Sequence, residues 1–163
     1  MRKITTILLL SVITFFMQEK VQAQKIRSID ASQLLERLSD KDTLYIVNFW
    51  ATWCVPCVKE LPSFSIINDL YAGKPVKVIL LSFDFKEQYP DRLQEWVKKK
   101  KLKPEVIWFS ETNPTEYIPR IAPEWEGALP ATLLINNKTK ERNLIQGEVS
   151  SDTLKGWLEQ QMP

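Results

Sequence analysis

From residue 30 onward the apolar positions of this chain switch between a helical and an extended period. Asp30 and Gln33 have the spacing of a capping box, and Leu34, Leu35 and Leu38 behind them form one helical face. Residues 43–50 (TLYIVNFW) are rich in β-formers and almost unbroken in apolar character, as in a strand covered on both sides. Helical spacing returns from Cys57 through Leu61, Phe64, Ile67 and Tyr71 and stops before Gly73-Lys74-Pro75. Residues 76–83 (VKVILLSF) read as a second buried strand. Pro90 opens a helix through Lys101 with Leu93, Trp96 and Val97 inward, and residues 106–110 (VIWFS) form a short strand. The stretch 113–126 carries mixed signals, which predict a loop with a short helix. Residues 132–136 and 142–146 flank Asn137-Lys138 as an antiparallel hairpin, and Leu154, Trp157 and Leu158 mark a closing helix. Strands that alternate with helices predict parallel crossovers, and the hairpin adds an antiparallel edge. The expected class is α/β, one domain with a central mixed sheet flanked by helices.

The first 23 residues follow another pattern. Arg2 and Lys3 precede an uncharged apolar run over residues 4–17, and Val21-Gln22-Ala23 then offers small or modest side chains to a signal peptidase. The run is shorter than the ~18 to 20 residues that span a bilayer. Residues 1–23 are therefore expected to be a signal peptide cut after Ala23, with residues 24–163 the exported, periplasmic domain. A signal anchor that stays attached and tethers the domain to the membrane is the alternative.

Composition then narrows the chemistry. A chain of 163 residues, 44% of them hydrophobic and with 6 Trp and 7 Phe, can build one ordinary core. Its 22 basic and 20 acidic residues leave a net charge of +2, too little for a nucleic-acid binder. The predicted signal holds three of those basic residues and one acidic residue, so the remainder is balanced. The absence of histidine excludes catalytic Ser-His-Asp and Cys-His groups and His-ligated zinc or haem. Two cysteines exclude a multi-bridge scaffold or a four-thiolate metal site.

Those two cysteines stand at Trp53-Cys54-Val55-Pro56-Cys57, between a predicted buried strand and a predicted helix. That location puts Cys54 at the helix N-cap, where its thiolate meets the positive end of the helix dipole and can accept a hydrogen bond from the Cys57 N–H. Lowering a thiol pKa from ~8.5 toward ~7 requires about 2 kcal/mol, within reach of such a terminus. Pro56 suits the first turn, whose N–H groups have no helical partner. Two intervening residues let the sulfurs join without unwinding the helix. Cys54 is expected to be the exposed attacking thiol and Cys57 the shielded resolving thiol. The spacing alone also suits a two-thiolate Cu(I) carrier or an inert structural disulfide. Half a zinc site is excluded, since no further Cys or His could complete it.

The segment Asn48-Phe49-Trp50-Ala51-Thr52-Trp53-Cys54-Val55-Pro56-Cys57 resembles the active-site segment of thioredoxin-fold proteins. Cys57-Val58-Lys59-Glu60-Leu61-Pro62 adds the C-x-x-E-x-P continuation of exported TlpA/ResA-like thiol-disulfide oxidoreductases. Ala128-Leu129-Pro130-Ala131-Thr132-Leu133-Leu134-Ile135 is similar to that family's second signature. The resemblance implies a thioredoxin-like fold and a cis bond between Leu129 and Pro130, against a background of ~5% for such bonds. It places Pro130 opposite the dithiol, where the neighbouring backbone is free to pair with an extended substrate. Trp53, Pro56, Leu129 and Pro130 would line the substrate side, and Trp50 would serve packing. Cytosolic thioredoxins carry a buried Asp where this chain has Asn48, and an amide cannot exchange a proton with the resolving thiol. The TlpA/ResA-like pattern instead offers Glu60, one turn after Cys57, to help deprotonate it. A solvated glutamate on the helix surface is the other reading of Glu60.

The activity implied is thiol–disulfide exchange by a protein-disulfide reductase. A membrane thiol-electron donor would reset it, proteins such as apocytochrome c would be among its substrates, and neither metal nor organic cofactor would be needed. The histidine common between the cysteines of strong oxidants is absent, which favours reduction. A disulfide oxidase or isomerase is the alternative.

Overall fold

In β2 (Leu44–Trp50) every residue is buried, and successive side chains turn to opposite faces of the sheet. Leu44, Ile46 and Trp50 enter one apolar cluster, whereas Tyr45, Val47 and Phe49 enter another. The adjacent β3 (Val76–Ser82) divides in the same way, with Val76, Val78 and Leu80 on the first side and Ile79 and Leu81 on the second. A sheet clothed on both faces accounts for the unbroken apolar runs in the sequence. These elements come from a computed structural model that describes residues 25–162. The expected signal peptide, residues 1–23, lies outside the described residues.

The remaining elements are β1 (Arg27–Ile29), α1 (Ala31–Arg37), α2 (Val55–Leu70), α3 (Asp91–Lys100), β4 (Glu105–Phe109), α4 (Pro114–Ile121), β5 (Ala131–Asn136), β6 (Glu141–Gln146) and α5 (Ser151–Gln161), with a 3₁₀ turn at Lys86–Gln88. The strand order is β1-β4-β3-β2-β5-β6. The first four are mutually parallel, and β5 and β6 complete the sheet antiparallel to their neighbours. Leu61 and Phe64 of α2, Leu93 and Val97 of α3, and Leu154 and Leu158 of α5 cover one face. Leu34 of α1 and Tyr117 and Ile121 of α4 cover the other. The expected α/β, thioredoxin-like single domain with a mixed central sheet is therefore the architecture observed.

Local chemistry fixes several boundaries. Asp30 and Gln33 make the expected capping box at α1. Asn113 caps α4, so the mixed stretch after β4 does contain a short helix. Among the described strands and α-helices, only β1 has no counterpart in the sequence reading. Three residues are too few to display a period, and two of them are exposed. The strand exists because β4 offers it an edge, in register from Arg27 opposite Ile107 to Ile29 opposite Phe109. Arg27 fastens it further, 2.7 Å from one carboxylate oxygen of Glu105 on β4, and Arg37 of α1 meets the other oxygen at 2.7 Å.

Candidate active site

β2 carries the chain to the C-terminal edge of the parallel strands, and α2 leaves from there after a short turn. Cys54 is the N-cap of α2, with extended backbone angles, and its Sγ lies 3.3 Å from the Cys57 N–H as acceptor. Pro56 falls in the first turn, where its missing N–H leaves no helical bond broken. Cys54 and Cys57 are joined by a disulfide, with their Cα atoms 5.3 Å apart. Cys57 is fully buried, and Cys54, expected to be exposed, is itself only 6% exposed in the disulfide-bonded form, while Val55 and Pro56 between them face solvent. Trp53 is 52% exposed and stacks on the likewise exposed Phe85 at 5.7 Å, whereas Trp50 is buried in the core. The Leu129–Pro130 peptide bond is cis, as expected, and leads directly into β5.

Glu60 shares the buried face of α2 with Cys57, Leu61 and Phe64, which removes the solvated-glutamate reading. One carboxylate oxygen accepts from Asn48 Nδ2 at 2.7 Å and the other from the Val149 N–H at 2.7 Å. Burial pushes its pKa from the ordinary 4.5 to about 7; the nearby charge of Glu148 acts the same way, and the two hydrogen bonds oppose it. Asn48 occupies β2 and also donates to Thr132 Oγ1 on β5 at 3.1 Å, while its own buried Oδ1 has no partner among the described residues. The position that carries Asp in cytosolic thioredoxins thus holds an amide that contacts Glu60 directly.

A second buried carboxylate was not singled out from the sequence. Asp84, just past β3, accepts from the Thr52 N–H at 3.0 Å, from Thr52 Oγ1 at 2.5 Å and from Ser82 Oγ at 2.7 Å. Its own carbonyl accepts from Trp108 Nε1 at 2.7 Å. These bonds clamp the turn just before Cys54. Residues 82–85 (SFDF) form no motif, and the only hint is a lone acidic residue at the end of an otherwise apolar strand. Among the described residues, no cluster of three or more His, Cys, Asp or Glu is arranged to hold a metal ion. None of the described helices is long and apolar enough to cross a membrane.

This arrangement has counterparts in known proteins. The AhpC/TSA family matches residues 16–142. Sporulation thiol-disulfide oxidoreductase A of Bacillus subtilis is 25% identical over 161 residues, an alignment that covers 94% of each chain. Thiol-disulfide oxidoreductase ResA of Bacillus cereus is 32% identical over 117 residues, which span 72% of this chain and 62% of that protein. The crystal structure of StoA from Bacillus subtilis superposes with a TM-score of 0.59 at 24% identity, over 74% of this chain and 86% of that one, a likeness of fold. The chain belongs to the AhpC/TSA family and carries, on a thioredoxin-like fold, the Cys54–Cys57 pair of a thiol-disulfide oxidoreductase of the StoA/ResA kind.

Proposed function

We propose that the protein is exported and works as a protein-disulfide reductase, with Cys54 as nucleophile and Cys57 as resolving thiol. The observation that carries this reading is the asymmetry of the pair: a sulfur at a helix N-cap beside an exposed indole, bonded to one sealed within the helix. In the reduced protein the Cys54 thiolate attacks a substrate disulfide, forms the mixed disulfide and expels the other substrate sulfur as a thiolate that takes up a proton. Cys57 then gives its proton to the Glu60 carboxylate and attacks the Cys54 sulfur. The second substrate thiolate leaves, and the protein is left with the Cys54–Cys57 disulfide. Two electrons have passed to the substrate. A membrane thiol-electron donor returns them, and disulfide-bonded proteins, apocytochrome c among them, are the substrates.

Glu60 suits its role because a carboxylate titrating near 7 can accept a thiol proton and release it again at neutral pH. The substrate side is formed by Trp53, Pro56, Leu129 and Pro130. Among the described residues neither backbone group of Leu129 pairs within the chain, while the Pro130 carbonyl is taken by the Gly147 N–H at 2.9 Å. That leaves Leu129 free for an extended substrate segment. Export rests on residues 1–23, which have the charge, apolar run and cleavage residues of a signal peptide.

A redox titration of the Cys54/Cys57 couple tests the direction. The expected potential lies toward the thioredoxin end of the scale, about −270 mV, and a value near −120 mV would make the protein an oxidase. Cys57→Ser is expected to accumulate substrate proteins on Cys54 in cells, recoverable from the exported fraction. Recovery from the cytosol alone would refute export.

A further inference from the structure

Beside the Cys54–Cys57 turn the surface opens into a cavity of ≈ 540 Å³, with Trp53 and Phe85 at its mouth and Phe83, Tyr117 and Trp125 within. Leu129 forms another wall, so the cavity borders both the residue before Cys54 and the residue before Pro130. Its size falls in the range of ordinary ligand pockets and is ample for one large side chain. The inner wall is held by packing. Phe83 sits 5.1 Å from Phe109, 5.3 Å from Trp125 and 6.0 Å from Tyr117, ring centre to ring centre. Such a lattice keeps the cavity open without a ligand.

Charge decides what can enter. Within the walls, the Asp84 carboxylate is consumed by Thr52 and Ser82. That of Glu111 is consumed by the Ala31 N–H at 2.7 Å and by Arg120 at 3.3 Å. The indole N–H of Trp125 is spent on the Ala128 carbonyl at 2.8 Å, which leaves its ring faces as the contact surface. Exposed Lys86 and Glu87 at the edge are opposite in sign and adjacent, so they offer no net field. The carboxylate oxygens in the walls are thus occupied within the chain, whereas the π faces suit another ring at offset or edge contact.

We propose that this cavity is a substrate subsite that accepts an aromatic side chain close to the target cysteine of an extended, disulfide-bonded polypeptide. The inference rests on the reductase reading and deepens it. A segment that pairs with Leu129 while presenting its sulfur to Cys54 passes the cavity mouth, and the stacked Trp53–Phe85 pair, 52% and 63% exposed, is the apolar surface it covers.

The test uses disulfide-bonded peptides that differ only in one residue next to the cysteine, Trp or Ser, reduced by the full-length protein. The Trp peptide is expected to show kcat/KM at least about tenfold higher, as burial of a large apolar side chain implies. Thr112→Trp, an exposed position at the cavity wall, is expected to bring that ratio down several-fold, and Phe85→Ala to reduce it as well. A ratio within twofold of unity, or one that Thr112→Trp leaves intact, would overturn the subsite. Cysteine-free versions of the two peptides, titrated into the oxidised protein by NMR, make the same comparison without turnover. Tighter binding of the Trp peptide with shifts at the Trp53 indole would uphold the subsite even if reduction failed and the direction proposed above were wrong. Equal binding would overturn the subsite even if reduction succeeded.

Discussion

Two carboxylates flank the active-site turn, each only 4% exposed, and they are held in opposite ways. Asp84 receives two hydroxyls and a backbone N–H, from Ser82 two residues before it and from Thr52 in the turn after β2. Glu60 receives one amide from β2 and one backbone N–H from the loop after β6, a single donor for each oxygen. The first arrangement fixes a shape. The second joins α2 to two distant elements and leaves the carboxylate able to change its proton, since burial has pushed its pKa to about 7. A protonated Glu60 needs an acceptor, and the unpartnered Asn48 Oδ1 supplies one if that amide turns over. One carboxylate thus builds the nucleophile's turn, and the other is placed to serve its chemistry.

The largest expected effect comes from breaking the first arrangement. Asp84→Ala strands the Thr52 N–H and the Thr52 and Ser82 hydroxyls in a buried setting and should lower stability by about 3 kcal/mol. Urea unfolding of the oxidised protein measures it. A loss below about 1 kcal/mol would mean that the turn holds its shape without Asp84.

Next in size is the pH dependence that Glu60 imposes. Its folded pKa, about 7, lies above the ordinary 4.5, so the unfolded chain gives up the proton first as pH rises. Stability from this group is therefore greatest below about 4.5, falls between about 4.5 and 7, and is level above that, with a total decline of about 3 kcal/mol. Glu60→Gln should remove the decline, so that the variant gains on the parent protein from pH 5 to pH 8 in paired urea titrations. It should also slow reduction of a peptide disulfide at neutral pH and flatten the pH–rate profile between about 6 and 8. A parallel course for the two proteins in both measurements would return Glu60 to a packing role.

The same contrast explains what could be read from the sequence. The apolar runs of β2 and β3 reveal strands covered on both faces, because a period and its absence are local properties. The N-cap position of Cys54 is local too, as it needs only a strand, a helix and a Pro at the first turn. Glu60 was visible as a position one turn beyond Cys57, but its environment was not. The donors that satisfy it are 12 residues before it and 89 after it, and only the fold brings them together. Asp84 was missed for a similar reason, since Thr52 lies 32 residues earlier and meets it only because β2 and β3 run side by side. The aromatic cavity gathers residues from four separate segments; Trp53 and Leu129 stood out through the family resemblance as substrate-side residues, whereas the others read simply as core or loop.

The smallest expected effect probes the last influence on Glu60. Glu148 adjoins Val149, whose N–H holds Glu60, and its negative charge is a minor contributor to the raised pKa, behind burial. It is partly exposed and paired with Lys59 at 3.1 Å, so its removal should change stability by no more than about 0.5 kcal/mol. Glu148→Gln should nevertheless move the Glu60 titration midpoint downward, read from the side-chain carboxyl resonance by NMR. Added salt should move the parent protein's midpoint the same way, because a charge this close to solvent is screened. Burial is not screened, so the midpoint should stay well above 4.5 in both cases. A collapse to the ordinary value would make charge, rather than burial, the source of the elevation, and the division of labour between Glu60 and Asp84 would then rest on a surface neighbour instead of on the fold.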